Sequence, residues 1–149
     1  MQQSSGVRDT MEKRITAFAQ GDMATVRRLW ADDPALTMIG TDPGEYSRGI
    51  DDVVQVWRSP EEGEPPIKLT LNELNAYEQG DVGWADGVGR FVVHDASVEV
   101  RLTAVFIRDG DQWKMIQGHV SIGVPNDRMF EPMLRPAATV QGSAGTGER

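Results

Sequence analysis

The sequence predicts an α+β domain in which three N-terminal helices pack on one face of a strongly curved antiparallel sheet. Apolar residues recur every three to four positions in the first part of the chain, and at every second position from residue 67 onward. The 149 residues are enough to bury one core. We therefore expect one domain over residues 7–126, preceded by a flexible segment over 1–6 and followed by a mostly disordered extension over 127–149.

The three helices have sequence signals at their ends. Residues 7–20 carry one apolar stripe, which Gly21 terminates, and Asp22 then supplies a typical N-cap for a second helix. The segment ADDP ends that helix, because the residue before a proline disfavours the helical conformation. Asp51 or a neighbour caps a third helix that runs toward Trp57, and the polar, proline-rich stretch SPEEGEPP predicts a surface connection after it.

The strands are predicted by the alternation of apolar and polar side chains. One short strand precedes the third helix, and the longer strands follow it as a meander that closes in a hairpin around the turn RDGDQ. The predicted spans are 35–39, 67–72, 82–88, 97–108 and 113–124. Glycines in and beside the third span suit the close approaches that strong curvature requires.

Composition excludes several classes of function. The net charge of −8 repels phosphate backbones, so no nucleic-acid partner is expected. Without cysteine there is no thiolate nucleophile, and His94 and His119 have no carboxylate at metal-ligand spacing. No stretch approaches the roughly 20 apolar residues of a membrane span, and none resembles a signal peptide, so we expect a cytoplasmic protein with no membrane partner. No fingerprint of a cofactor is present.

Three motifs together resemble the nuclear transport factor two-like superfamily, and most closely its SnoaL-like domains. They are GD at 21–22, DPGEYSRG at 42–49 and the closing hairpin RLTAVFIRDGDQWKMIQGHVS, and the resemblance covers residues 7–126. The hairpin is also similar to the end of the association domain of calcium/calmodulin-dependent kinases. The resemblance implies a cone, in which a bent sheet wraps round a pocket that the helices close, and homodimers formed through the sheet. Because the superfamily includes isomerases, cyclases, dehydratases, ligand binders and assembly modules, function has to be argued from the site.

Asp42 is the first candidate catalytic residue. The resemblance places it in a loop like the one that carries the general base of the superfamily's steroid isomerases, where a carboxylate could be poised to move a proton. Asp-Pro-Gly is also a common turn sequence, in which the carboxylate only accepts local hydrogen bonds. The rest of the isomerase apparatus is missing, because Arg14 stands at the position of the first-helix tyrosine and Thr103 near that of the second acid. Steroid isomerisation is therefore not expected.

His119 lies on the polar face of the last predicted strand, and the role of that face depends on the register. If the polar face lines the pocket, His119 is a candidate acid or base at neutral pH. Gln117, with Arg101 and Thr103 on the neighbouring strand, could then hold a small anion or carbonyl compound. If the other face lines the pocket, Val120 points inward and His119 meets a second subunit. Similarity to the kinase association domain favours the second register.

Two tryptophans complete the candidate site. Trp84, on the glycine-rich strand, is the first candidate to line the cone, and Trp57 is another. We therefore predict a SnoaL-like domain that binds a small apolar carbonyl or carboxylate compound in its cone. One alternative is a non-catalytic homodimerisation or sensing module, and another is an isomerase, cyclase or dehydratase that uses Asp42 as its base. No metal or other cofactor is expected in any of these.

Overall fold

The computed structural model describes residues 1–57 and 67–134, with side chains up to residue 130. Within these ranges the chain forms four helices: α1 (Ser5–Ala19), α2 (Met23–Leu29), α3 (Gly49–Val56) and α4 (Asn126–Leu134). It forms seven strands there: β1 (Gln2–Gln3), β2 (Thr37–Ile39), β3 (Tyr46–Arg48), β4 (Lys68–Gln79), β5 (Val82–Val93), β6 (Ala96–Asp109) and β7 (Gln112–Ile122). The predicted α+β class and its three N-terminal helices are confirmed.

These seven strands form one sheet in the order β1-β4-β5-β6-β7-β2-β3. Neighbouring strands are antiparallel, as predicted, except that β2 runs parallel to β7, with Thr37 opposite Gln117. No hairpin joins β2 to β7, so no tight turn imposes an antiparallel direction on them. The short hairpin β2–β3 thereby extends the sheet beyond β7, and α3 follows it directly.

The sheet is curved and does not close into a barrel. Its pairing register shifts between Leu71 and Glu73 of β4 and between Val105 and Phe106 of β6. An irregularity of this kind adds a residue to one strand of a pair and bends it. The curvature makes a concave side, against which α1 packs on β4, β5 and β7 while α2 packs on β7.

Helix α1 comes close to β5 because Gly83 has no side chain. A Cβ at that position would lie only 2.4 Å from Cγ2 of Val7, which is fully buried. This is the close approach that the glycines of the strand predict.

The core lies between the helices and the sheet, and its members alternate along the strands. The buried apolar residues of β5, β6 and β7 face the helices, and they include Ala85, Val100, Leu102, Ala104, Phe106, Met115 and Val120. The residues between them point to the opposite side. We call this side the outer face, and it includes Tyr77, Trp84, Arg101, Thr103, Val105, Gln117 and His119.

The N-terminal segment, predicted to be flexible over residues 1–6, forms β1 and the first turn of α1 in the structure. Strand β1 pairs with β4, and the buried Ser4 caps α1 by accepting a hydrogen bond from the Val7 N–H at 3.2 Å. The Ser4 hydroxyl also donates to Glu78 of β4. The sequence pattern missed β1 because a strand of two residues is too short to show alternation.

At the other end the chain continues into α4, which occupies the start of the predicted C-terminal extension. Its side chains Met129 and Phe130 are exposed. The surface connection predicted over 59–66 and the rest of the predicted extension, residues 135–149, lie outside the described residues.

Candidate functional site

A small cavity lies between α1, the end of α3 and the concave side of the sheet. Its volume is about 20 Å³, which is enough for one water molecule. The lining consists of Arg14, Ile15, Phe18, Trp57, Leu69, Phe91 and Val120. Four of these, Phe18, Trp57, Leu69 and Phe91, are only partly buried. The interior of the cone therefore combines an apolar wall with one charged group.

Arg14 is that charged group. Helix α1 carries it on the same side as the buried Met11 and the cavity-lining Phe18, so its side chain enters the core. Only 7% of its surface is exposed, and its guanidinium carbon lies 5.4 Å from the centre of the Trp30 ring. Among the described residues, no carboxylate pairs with it and no acceptor meets its Nε–H.

Burial without a counter-ion disfavours the charged form of Arg14. Desolvation lowers the pKa of the Arg14 guanidinium to about 10, so the group is still a cation at neutral pH. One unit of pKa corresponds to about 1.4 kcal/mol, so the lowering represents roughly 3 kcal/mol of stability lost at pH 7. The contact with Trp30 offsets part of this, because a desolvated cation over an aromatic ring gains about 2 kcal/mol.

A second unpartnered donor borders the same cavity. Trp57 follows α3 directly, and its buried indole Nε1–H donates to no described acceptor. A buried donor without an acceptor costs about 1–3 kcal/mol. The indole N–H of Trp30, beside Arg14, is also unpartnered within the described chain. The cone therefore has an excess of donors and a positive charge, an environment that suits a negatively charged oxygen acceptor.

Asp42 lies in the turn between β2 and β3, outside this cavity. Its side chain is exposed, and its Oδ1 accepts a hydrogen bond from the Gly44 N–H at 2.8 Å. Its own backbone N–H donates to Oε2 of Glu45 at 3.1 Å. These are the local hydrogen bonds of a turn aspartate. The catalytic role of Asp42 stays a prediction.

His119 lies on the outer face of the sheet, opposite Thr103 of β6 and Ile39 of β2. Its neighbour Val120 is buried and lines the cavity in the cone. The strand therefore has the register that similarity to the kinase association domain favours. His119 does not contribute to the cavity, and its role as an acid or base also stays a prediction.

Comparison with known sequences decides the family. A model of the SnoaL-like domain matches residues 7–125, which is most of the chain. The chain belongs to the SnoaL-like domain family. No curated protein matches it. Membership confirms the predicted superfamily, but the activity still has to be argued from the site.

Solved structures share the fold of this SnoaL-like domain. An NTF2-like protein of unknown function from Pseudomonas putida KT2440 has a TM-score of 0.71 and 21% identity, over 83% of this chain and 89% of that one. A candidate dehydratase of the NTF2-like family from Streptomyces avermitilis has a TM-score of 0.70 and 20% identity, over 80% of this chain and 95% of that one. A candidate calcium/calmodulin-dependent protein kinase II association domain from Xanthomonas campestris has a TM-score of 0.67 and 18% identity, over 85% of this chain and 96% of that one. At such identities the likeness shows the fold alone.

The residues that the sequence predicts to bind a ligand lie on two opposite sides of the sheet in the structure. Four of them belong to the outer face of the SnoaL-like domain: Trp84, Arg101, Thr103 and Gln117. They do not line the cone, because each alternates with a buried neighbour that faces the helices. Trp84 instead stacks on Tyr77, with ring centres 5.9 Å apart. The other two, Trp57 and Val120, do line the cavity, together with Arg14.

Arg14 is the site residue that sequence reasoning missed in this SnoaL-like domain. A signal was present, because Arg14 is a charged residue inside the apolar helical stripe that contains Met11 and Phe18. Its correspondence to a tyrosine of the steroid isomerases also pointed to the interior of the cone. The sequence comparison showed only that Arg14 replaces the tyrosine of the steroid isomerases. The structure shows that this arginine is a buried cation.

Two further findings concern the part of the chain that the structure describes. No helix there is long and apolar enough to cross a membrane. No cluster of three or more histidine, aspartate or glutamate side chains there could hold a metal ion.

Proposed function

We propose that this SnoaL-like domain binds a small apolar carboxylate in its cone, with the carboxylate at Arg14 and the apolar body against the aromatic lining. The observation that carries the proposal is the buried, unpaired guanidinium of Arg14 beside the unpartnered indole N–H of Trp57, within the described chain. The sequence alone does not decide whether the ligand is a carbonyl compound or a carboxylate. The positive charge favours the carboxylate, because charge-assisted hydrogen bonds are roughly twice as strong as neutral ones.

Such a ligand offsets the cost of burying the Arg14 charge without a counter-ion. A carboxylate beside Arg14 supplies the counter-ion that the described residues do not provide, and its second oxygen is available to the Trp57 N–H. In a site shielded from water this attraction is much stronger than at the surface. Phe18, Leu69 and Phe91 offer apolar surface to the rest of the molecule.

Binding requires the cavity to enlarge. At about 20 Å³ it admits one water-sized group, so the side chains of Phe18 and Trp57 have to move outward for a larger ligand. Both are only partly buried, and side-chain rearrangements of this kind are common on binding. The proposal therefore includes a change in the surroundings of the Trp57 indole, which its fluorescence reports.

Titration with octanoate tests this proposal, and octanol is the matched probe without the charge. We expect octanoate to bind, measured by calorimetry and tryptophan fluorescence, and octanol to bind about tenfold more weakly. Arg14→Met should abolish this preference, whereas Arg101→Met, which removes an arginine from the outer face, should preserve it. Benzoate serves as a second apolar carboxylate probe. The proposal is refuted if neither octanoate nor benzoate binds saturably, or if the Arg14→Met variant binds octanoate as tightly as the wild type.

A second function, self-association through the outer face, is favoured by a separate observation. Tyr77 and Trp84 stack on that face, and Val105 is the partner of Trp84 on the next strand. All three side chains are only partly buried. Aromatic groups of this kind are enriched at protein interfaces. We infer that two copies of the chain associate through this patch.

Sedimentation at micromolar concentrations tests the inferred dimer. Trp84→Glu places a charge in the patch and should convert the dimer to a monomer of 16.4 kDa. Phe130→Glu changes an exposed aromatic residue on α4 and serves as the matched control. A wild-type chain that sediments as a monomer at every concentration would contradict the inference.

A further inference from the structure

A second cavity lies on another face of α1, away from the cone. It is a polar groove between α1, α2 and the β6–β7 turn, with a volume of about 350 Å³. We call it the α1–α2 groove, and its polar lining includes Asp9, Thr10, Lys13, Arg28 and Asp111. Pockets that bind small molecules typically measure about 300–1,000 Å³. The groove therefore has room for a small ligand without any rearrangement.

The charges around the α1–α2 groove are balanced, and no close ion pair neutralises them. Lys13 and Arg28 are cations, Asp9 and Asp111 are carboxylates, and none of the four lies within 4.0 Å of an opposite charge on a described residue. The Arg28 charge acts at longer range on Asp22, whose pKa it helps to lower. Asp9 and Lys13 have the i, i+4 spacing at which helical ion pairs form, yet they stay apart. The Arg28 guanidinium instead donates to the neutral Thr25 hydroxyl at 2.6 Å. The groove thus presents both signs of charge to a ligand.

The wall of the groove also supplies neutral hydrogen-bonding groups. Trp113 is 95% buried in this wall, and a Cβ added at Gly6 would lie 2.9 Å from its Nε1 atom. The indole N–H donates to no described residue, and the edge of the ring packs directly against the backbone of Gly6, where an added Cβ would clash with it. Thr10 donates its hydroxyl hydrogen to the Gly6 carbonyl at 2.8 Å, so its oxygen still has lone pairs to accept with.

We propose that the α1–α2 groove binds a small zwitterion of the α-amino-acid class, its carboxylate held by Lys13 and Arg28 and its ammonium by Asp9 and Asp111. The balance of charge decides the class. A simple anion meets two carboxylates and a chain of net charge −8, and a simple cation meets two positive side chains. A zwitterion satisfies all four groups, and the Trp113 N–H is left for a polar side chain.

L-Glutamine is the probe that tests this proposal. N-acetyl-L-glutamine lacks the ammonium charge and L-glutamine amide lacks the carboxylate, so the two analogues isolate each half of the zwitterion. Binding is followed by chemical-shift changes of the backbone amides of the isotope-labelled full chain. We expect saturable changes at Thr10, Lys13, Thr25 and Gln112 with glutamine, and about tenfold weaker binding of each analogue.

Variants of the groove separate this site from the cone. Lys13→Met and Asp111→Asn should each weaken glutamine binding about tenfold, whereas Lys68→Met and Asp95→Asn remove the same charges from exposed positions elsewhere and should not. Arg14→Met should also leave glutamine binding unchanged. The proposal is overturned if glutamine causes no saturable changes, if the changes map to the cone, or if either analogue binds as tightly as glutamine.

Discussion

The guanidinium carbon of Arg14 lies 5.4 Å from the centre of the Trp30 ring, and this stacking is the sole interaction that the described residues offer to the charge. An aromatic face attracts a cation but accepts few of its N–H hydrogen bonds. The domain therefore keeps a cation in its interior at a cost in stability. If Arg14 serves ligand binding, its removal should stabilise the domain, whereas if it serves stability, its removal should destabilise the domain.

Arg14→Met should raise the free energy of unfolding by about 1–3 kcal/mol, because methionine fills similar space without a desolvated charge. Urea denaturation at pH 7 in the absence of ligand measures the change. Arg101→Met, on the outer face, should stay within about 0.5 kcal/mol of the wild type. A clearly destabilised Arg14→Met variant would contradict the assignment of Arg14 as an unpaired cation.

Acid should weaken the fold in part through Glu78. Hydrogen bonds from Ser4 and Gln2, assisted by the Arg108 charge, lower the pKa of Glu78 below its ordinary value. A carboxyl with a lower pKa in the folded state contributes stability above its unfolded pKa of about 4.3, and loses it as the pH falls through the folded pKa. Glu78→Gln should therefore lose less stability than the wild type between neutral and acidic pH.

Urea denaturation of both proteins at a series of pH values checks the prediction for Glu78. Glu99→Gln, at an exposed position of β6, should follow the wild-type curve. Parallel curves for Glu78→Gln and the wild type would show that the hydrogen bonds of Glu78 do not depend on its charge.

Asp42→Ala should lower the free energy of unfolding by about 1 kcal/mol, because the turn loses the acceptor for the Gly44 N–H. Asp42→Asn keeps an oxygen in that place and should resemble the wild type in urea denaturation. Both variants should bind octanoate normally in calorimetry, because Asp42 is not among the residues that line the cavity. Loss of binding by Asp42→Asn at unchanged stability would instead favour the proton-transfer role predicted from the sequence.

Gly83→Ala should destabilise the domain by about 1–3 kcal/mol, because the new Cβ overlaps Cγ2 of Val7. Val7→Ala removes that methyl group, so the double variant should lose less stability than the two single variants together. The expected coupling, measured by denaturation of all four proteins, is about 0.5–3 kcal/mol. Strictly additive effects would mean that α1 shifts away from β5 instead.

The architecture was predictable because the period of the apolar residues changes from helical to alternating at one place in the chain. Helices α1 to α3 and the long strands β4 to β7 are all long enough to show their period. The parallel pairing of β2 was not predictable, because a strand of three residues does not identify its partner. The same shortness hid β1.

The candidate site was less predictable, because alternation does not say which face of a strand points inward. In β5 the small residues Gly83 and Ala85 face the helices, and the large Trp84 is left on the outer face. A prediction that rests only on the large size of Trp84 therefore assigns it to the wrong face of the sheet. Similarity to a known motif favoured Val120 as the inward residue, and hydrophobic pattern alone did not. Whether Arg14 has a counter-ion depends on residues that are distant in the sequence and close in space, and a local sequence pattern does not identify them.

The parallel pairing of β2 with β7 has a consequence for synthesis on the ribosome. Met38 of β2 is buried against Gly118 of β7, yet the ribosome completes β2 long before β7 emerges from its exit tunnel. Nascent chains that end before β7 therefore leave Met38 uncovered and open to chaperones that bind apolar segments. Resistance to proteases should arise in one late step, when the last long strand is released.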